Sequence, residues 1–299
     1  MNTQAKYFDP QTLAKIRSIG LRARYLVEGY ITGMHRSPHQ GRSIEFSQHR
    51  EYVPGDDLRQ VDWKVYGRTD KFYLKQYEAE TNLICHILLD GSESMSYRGP
   101  SSSLSKLEYA QLVAVSFAYL VLSQQDAVGM ALLADRVIQQ ITPSNSPAQL
   151  NNLIGLLETS IANRTTTLEP ALKDAASRLR SRGVVLLISD FLDDANKILQ
   201  GLQHLRYQRH DIVMIHVLDE AEVNFPFDQP SRFIGLEGWA PMIADPQSLR
   251  SAYRKEVQAH ISKLREGARS LEIDYQLMLT QQPLYLTLPH LLAQRRRRQ

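Results

Sequence analysis

The sequence predicts an α/β fold, with a mostly parallel central sheet flanked by helices and an N-terminal appended module carrying some strand. Three observations predict it. Apolar runs at 83–90, 183–190 and 211–219 each stop abruptly at an acid, as buried strands do when they feed a loop. Stretches with helical apolar spacing lie between them, and strand-helix-strand alternation builds parallel sheets through right-handed crossovers. Residues 1–80 show no such alternation, so the domains are expected at 1–80 for the appended module and 81–299 for the sheet domain.

Composition narrows the class. With 43% hydrophobic residues in 299, the chain can bury a full globular core. Its longest apolar stretch, 112–122, is interrupted by Ser116 and too short for a bilayer, and the first residues lack a signal-peptide core, so no transmembrane segment and a cytoplasmic location are expected. The single cysteine, Cys85, lies within an apolar strand, which excludes disulfides and cysteine-based zinc sites. Residues 16–50 carry six arginines against Glu28 and Glu45, and the chain ends in four more, Arg295 to Arg298. Over residues 1–80, however, thirteen Lys and Arg face ten Asp and Glu, and no aromatic RNA motif or recognition-helix pattern accompanies them, so no nucleic-acid partner is expected.

Taken in order, Asp9-Pro10 reads as a cap with proline at the first helical position, and Leu13, Ile16, Leu21 and Tyr25 continue a helix ending near Gly29. Residues 33–41 read as a loop whose His35 and His39, separated by Pro38, have no carboxylate partner for a metal. A strand within 43–52 enters a turn at Pro54-Gly55-Asp56-Asp57, and Phe72, Leu74 and Tyr77 form a second strand. After the central strand at 83–90 come a helix at 106–124, a strand at 127–134 with a hairpin partner at 137–141, and helices at 147–157 and 168–181. The strand at 183–190, a helix at 194–207 and the strand at 211–219 follow. Residues 225–239 read as irregular with a short edge strand at 232–236; Asp245-Pro246 opens a helix reaching 270, and a strand at 273–280 precedes a terminal helix at 284–293.

Chemistry gathers where the apolar runs end. Asp90, Ser92 and Ser94, in the order Asp-x-Ser-x-Ser, present one carboxylate and two hydroxyls from a single loop, and ligands of open α/β sheets sit at that edge. The bland alternative is that Asp90 and its serines cap the next helix. Thr166, from the loop before the helix at 168, and Asp190, from the end of another strand, would reach the same edge, making five oxygen groups from three loops. Such a set suits a hard cation, Mg²⁺ first, with Mn²⁺ and Ca²⁺ as alternatives.

This set resembles the metal-ion-dependent adhesion site of von Willebrand factor A domains, whose fold is Rossmann-like. The resemblance implies that Ser92, Ser94 and Thr166 ligate the ion through hydroxyls, with Asp90 and Asp190 acting directly or through water. Thr166-Thr167-Leu168-Glu169-Pro170-Ala171-Leu172 is similar to the Thr-Asp-Leu-x-x-Ala-Leu of that class, and Thr165 and Thr167 stay open as alternatives. A longer signature, Tyr52-Val53-Pro54-Gly55-Asp56-Asp57-Leu58-Arg59-Gln60-Val61-Asp62-Trp63, followed by the Asp90 motif and Ile188-Ser189-Asp190-Phe191, resembles the bacterial domain-of-unknown-function family fifty-eight. That resemblance implies a MoxR-type AAA+ ATPase as partner.

Three function classes are then weighed, the least favoured being a nucleic-acid-binding module that would use the basic stretch from Arg17 to Arg50. The leading one is a non-enzymatic, metal-ion-dependent protein-interaction module, an adaptor or co-chaperone of such an ATPase that grips an acidic side chain of a client protein. The rival is a metal-dependent phosphoester-processing enzyme with Asp90 as nucleophile. Against it, Ser92 stands where an Asp-x-Asp phosphatase has its second acid, and the chain has neither a Gly-x-x-x-x-Gly-Lys loop nor a Gly-x-Ser-x-Gly elbow. His86, inside the strand, is read as a packed or edge histidine.

Overall fold

Along the strand Val184–Ser189, Val185 and Leu187 pack into one apolar cluster while Leu186 and Ile188 pack into another, so alternate residues feed cores on opposite faces of the sheet. A continuous apolar run is what such two-sided burial demands. The computed structural model describes residues 18–34, 49–51, 66–68, 72–75, 83–159, 167–236 and 241–284. Its elements are helix α1 (Ile19–Met34), strands β1 (His49–Glu51), β2 (Tyr73–Lys75) and β3 (Ile84–Asp90), helix α2 (Lys106–Ser123), strands β4 (Ala127–Leu133) and β5 (Val137–Ser144), helices α3 (Gln149–Glu158) and α4 (Leu168–Arg178). There follow β6 (Val184–Ser189), α5 (Ala195–Tyr207), β7 (Asp211–Leu218), α6 (Glu220–Asn224), β8 (Ser231–Phe233), β9 (Met242–Ala244), α7 (Pro246–Ser270) and β10 (Asp274–Leu279).

Six strands form the central sheet in the order β10-β7-β6-β3-β4-β5. All neighbours run parallel except β5, which returns antiparallel to β4 as a hairpin. One face is covered by Ala23 and Leu26 of α1, Val113 and Phe117 of α2, and Leu153 and Leu157 of α3. The other is covered by Leu172 of α4, Ile198 and Leu202 of α5, and Leu264 of α7. Each fully buried leucine or isoleucine contributes roughly 1.5–3 kcal/mol through water release, so the sheet is held from both sides. This is the α/β architecture, mostly parallel and flanked by helices, that the apolar runs predict.

The helix signals are honoured where the local chemistry is strong. Ser105 and Glu108 form a reciprocal capping box at the start of α2, Asp194 caps α5, and Asp245 with Pro246 opens α7. Differences fall where tertiary packing overrides a weak signal. Helix α1 runs through Gly29 to Met34 rather than stopping near Gly29, and a mid-helix glycine costs only about 1 kcal/mol. The expected edge strand at 232–236 is displaced to Ser231–Phe233 and pairs with Met242–Ala244 as a separate antiparallel ribbon, because β10 already fills that edge of the sheet beside β7. Helix α6 was not expected, although Asp219 and Glu222 build a second capping box for it.

The chain divides into two compact units, residues 33–82 and the remainder, in which residues 1–32 join 83–299. The pattern assigns residues 1–32 to the appended module; in the structure Ala23 and Leu26 of α1 belong to the sheet's own core. Within the smaller unit, β1 and β2 pair antiparallel with Arg50 opposite Leu74, and the rings of Tyr66 and Phe72 stack at 4.4 Å. The expected Asp9-Pro10 cap, the His35 and His39 loop, the Pro54 to Trp63 signature and the body of the terminal helix lie outside the described residues.

Candidate metal site

Strands β3 and β6 are parallel neighbours with Leu89 opposite Ile188, so their carboxyl ends emerge together at one edge of the sheet. Asp90 closes β3 and Asp190 follows β6; both are buried. The Ser189 hydroxyl donates to Asp90 Oδ2 at 2.6 Å and accepts from the Phe191 amide at 2.9 Å. Asp90 Oδ1 accepts from the Ser92 amide at 2.8 Å, which curls the loop back over the strand end. The Gly91 amide donates to the Leu133 carbonyl at 2.9 Å and pins the same loop to the end of β4.

Ser92 and Ser94 then bring their hydroxyl oxygens to 3.0 Å from each other, and the Ser94 side chain is among the groups that favour the charged form of Asp190. Ser92 opens the 3₁₀ turn Glu93–Ser96 as its N-cap, yet its side chain makes no capping hydrogen bond. The capping alternative therefore does not account for that hydroxyl. Four of the five expected oxygen groups, Asp90, Ser92, Ser94 and Asp190, are brought together. Thr166 lies outside the described residues, as does Thr165. Thr167 is described, exposed, and caps α4 without a side-chain hydrogen bond; beside it the Leu168 amide donates to Asp193 Oδ2 at 3.2 Å, tying the start of α4 to the loop that carries Asp190.

Electrostatics at this edge turn on a residue the sequence reading did not single out. Lys106, the first residue of α2, is wholly buried, and its Nζ lies 2.7 Å from Asp190 Oδ2 and 2.6 Å from Glu222 Oε1. Burial alone would lower the lysine pKa, but the two carboxylates hold it above its ordinary value. Burial alone would raise Asp190, but Lys106 and the hydrogen bonds from Ser94 and Leu192 hold it below the ordinary carboxylate range. Asp90 is the contrasting case: burial first, and the charge of Asp190 second, push it up to about 6. Burial also raises Glu222. Asp190 and Glu222 thus share the Lys106 ammonium, and the repulsion that Asp190 exerts on Asp90 is what a hard divalent cation would relieve. Among the described residues no three His, Cys, Asp or Glu side chains form a metal cluster, so a cation held here would have to draw on hydroxyl oxygens as well as carboxylates. The donors present fit that requirement.

Two further groups brace the edge. Asp219, after β7, accepts from the Gly99 amide at 3.1 Å, Ser102 Oγ at 2.5 Å and Thr280 Oγ1 at 2.8 Å through Oδ2, and from the Ala221 amide at 2.9 Å through Oδ1. It joins the loop after Ser94 to the ends of β7 and β10. Phe191 holds a left-handed backbone, φ 50°, with its carbonyl 2.9 Å from His260 Nε2 and its ring edge-on to His216. His86, the packed histidine of β3, lies with Nε2 3.1 Å from the Ser181 carbonyl, far along the strand from Asp90.

Some of these partners had a readable signal. A lysine in the first turn of a helix opposes the helix dipole, a weak irregularity that solvent or a nearby carboxylate can relieve, so it marks Lys106 without naming a partner. Asp219-x-x-Glu222 is a capping-box pattern. Nothing in the sequence pairs Glu222 with Lys106, because that contact spans 116 positions.

The fold and the site define an α/β domain with an oxygen-lined edge at the carboxyl ends of its two central strands. The chain belongs to the family described as protein of unknown function DUF58, whose profile matches residues 48–263. Uncharacterised proteins of Mycobacterium bovis and Mycobacterium tuberculosis are 27% identical over 222 residues, covering 73% of this chain and 68% of theirs. Among solved structures, the conserved hypothetical protein BatB from Bacteroides thetaiotaomicron is similar over 71% of this chain and 98% of its own, with 12% identity and a TM-score of 0.47. The SpRpn10 VWA domain is similar over 68% and 92%, with 13% identity and a TM-score of 0.39.

Proposed function

We propose that this protein is a non-enzymatic, metal-ion-dependent protein-interaction module. Mg²⁺, with Mn²⁺ or Ca²⁺ as alternatives, would be held by Asp90, Ser92, Ser94, Thr166 and Asp190. Once bound, such an ion supplies a Lewis-acidic attachment point for a carboxylate of a client protein. The observation that carries the reading is the convergence of Asp90, Ser92, Ser94 and Asp190 at the ends of β3 and β6, with the Ser92 hydroxyl making no capping hydrogen bond. The proposed setting is cytoplasmic, as adaptor or co-chaperone of a MoxR-type AAA+ ATPase. Among the described residues no helix is long and apolar enough to cross a membrane.

The geometry of Asp90 favours a fixed ligand over a nucleophile. Each of its oxygens accepts a hydrogen bond, from the Ser92 amide and from the Ser189 hydroxyl, which fixes its aim, and Ser92 stands where a phosphoester-processing Asp-x-Asp pair has its second acid. The test is calorimetric binding of the purified chain to a MoxR-type ATPase from the same organism, in Mg²⁺ and in EDTA. Binding is expected in Mg²⁺, lost in EDTA, and weakened at least about tenfold by Asp90→Ala. Equal binding by folded Asp90→Ala overturns the role of the ion, and sustained phosphate release from a phosphoester, abolished by Asp90→Asn, establishes the enzyme reading instead.

A further inference from the structure

Lys106 is an unusual tenant of its position. It sits at the positive end of α2, where a second positive charge is unfavourable, and its side chain is fully out of solvent. A buried ammonium persists only where carboxylates meet it, and here two do, from different parts of the chain: Asp190 after β6 and Glu222 on α6. The Tyr97 ring lies 5.9 Å away on the loop that follows the serines. The start of α2 cannot slide to withdraw the charge, because the Ser105 and Glu108 capping box fixes it. Asp190 has both oxygens engaged, Oδ2 by Lys106 and Oδ1 by the Leu192 amide at 3.2 Å. An ion that draws on Asp190 must therefore share it with a positive charge that has nowhere to go.

We infer that Lys106 is a tethered cation with two effects, resting on the metal reading above: it keeps Asp190 and Glu222 folded together when no divalent ion is bound, and it holds that ion's affinity down, so that occupancy follows the free ion concentration. A site of this kind stays assembled when empty and fills reversibly. Without the lysine, the same carboxylates would repel one another until an ion arrived, and folding would become conditional on the ion.

The test uses the full chain, Mn²⁺ as the probe read by electron paramagnetic resonance, Mg²⁺ as competitor, and melting temperature with and without EDTA. Lys106→Met removes the charge and keeps the length of the side chain. Its Mn²⁺ affinity is expected to rise at least about tenfold over wild type, since one unit charge at this range is worth a factor of that order. Its melting temperature in EDTA should fall, and saturating Mg²⁺ should raise it further than it raises wild type. Glu222→Gln leaves Lys106 to Asp190 alone and is expected to weaken Mn²⁺ binding by about threefold or more. Where Lys106→Met does not fold in either condition, Glu222→Gln decides: weaker binding supports the tethered-cation role, and unchanged or tighter binding overturns it. Wild type that binds Mn²⁺ with a folded Lys106→Met within about twofold of it sinks this inference and leaves the metal reading standing. Folded wild type that binds no Mn²⁺ sinks both.

Discussion

Ser189 Oγ donates to Asp90 Oδ2 at 2.6 Å, joining the last residue of β6 to the last residue of β3 across the carboxyl edge of the sheet. The same hydroxyl accepts from the Phe191 amide, so one buried side chain sets both the aim of Asp90 and the turn that carries Asp190. Ser189→Ala leaves an amide and a carboxylate oxygen without that partner in a closed environment. Chemical denaturation is expected to register a loss of about 1–3 kcal/mol. Mn²⁺ binding should weaken as well, because Asp90 is no longer fixed; a variant as stable as wild type, binding equally, would remove Ser189 from the account.

Asp219 and Gly99 form a second such relationship. A Cβ on residue 99 would collide with the Asp219 carboxylate, so glycine is required there for the loop to lie against its anchor. Gly99→Ala should cost about 1–3 kcal/mol by overpacking, and Asp219→Asn about 2 kcal/mol or more by taking a charged acceptor from its donors. The two changes attack one contact, so the double variant should lose less than the sum of the single losses. Strict additivity in a denaturation cycle would separate the two residues.

Much of the architecture was legible because buried parallel strands write themselves as unbroken apolar runs. Val184–Ser189 and Asp211–Leu218 could be little else, and Asp245-Pro246 announces α7 by local chemistry alone. The candidate site was legible in part for the same reason, since Asp90 and Asp190 stand where two such runs stop. What the sequence withheld is contact across long separations. Lys106 reads as a surface residue at a helix start until β6 and α6 deliver Asp190 and Glu222 to it. Residues 1–32 read as part of an appended module because helical periodicity tells which face is apolar and never which core receives it.

His216 supplies a dependence on pH. Its ring is buried between Phe191, His260 and Tyr275, with Nδ1 2.7 Å from the Tyr275 hydroxyl and no hydrogen-bond partner for Nε2 among the described residues. Burial pulls its pKa down to about 3 from an ordinary 6.5, against the opposing charge of Asp190. The unfolded chain therefore takes up a proton that the folded chain refuses. Stability from this group is complete above about 6.5 and drains away as pH falls toward 3. Asp219, held low by its hydrogen bonds, acts in the same direction at lower pH, whereas Asp90, raised to about 6, gains stability as pH falls. Comparison with His216→Gln, which leaves the Tyr275 hydroxyl a partner, isolates the histidine. In EDTA, wild-type stability minus that of the variant should shrink steadily between pH 6.5 and 4, and a constant difference would contradict the assignment.

The third loop offers the sharpest test of which threonine belongs to the site. The Leu168 amide is held by Asp193, three residues beyond Asp190, so the end of the 165–167 segment is fastened to the loop that bears the second acid. Thr167 itself spends no hydroxyl on capping α4. If Thr166 is the ligand, Thr166→Ala should weaken Mn²⁺ binding by about tenfold, the loss of one oxygen donor, with melting temperature in EDTA unchanged. Thr165→Ala and Thr167→Ala should leave the affinity within about twofold of wild type. Asp193→Ala should fall between, because it loosens the start of α4 by about 1 kcal/mol without removing a donor to the ion. Should Thr167→Ala prove the damaging change, the hydroxyl at the start of α4 takes over the role assigned to Thr166. Equal, full affinity in all three threonine variants would reduce the site to the loops of Asp90 and Asp190 alone.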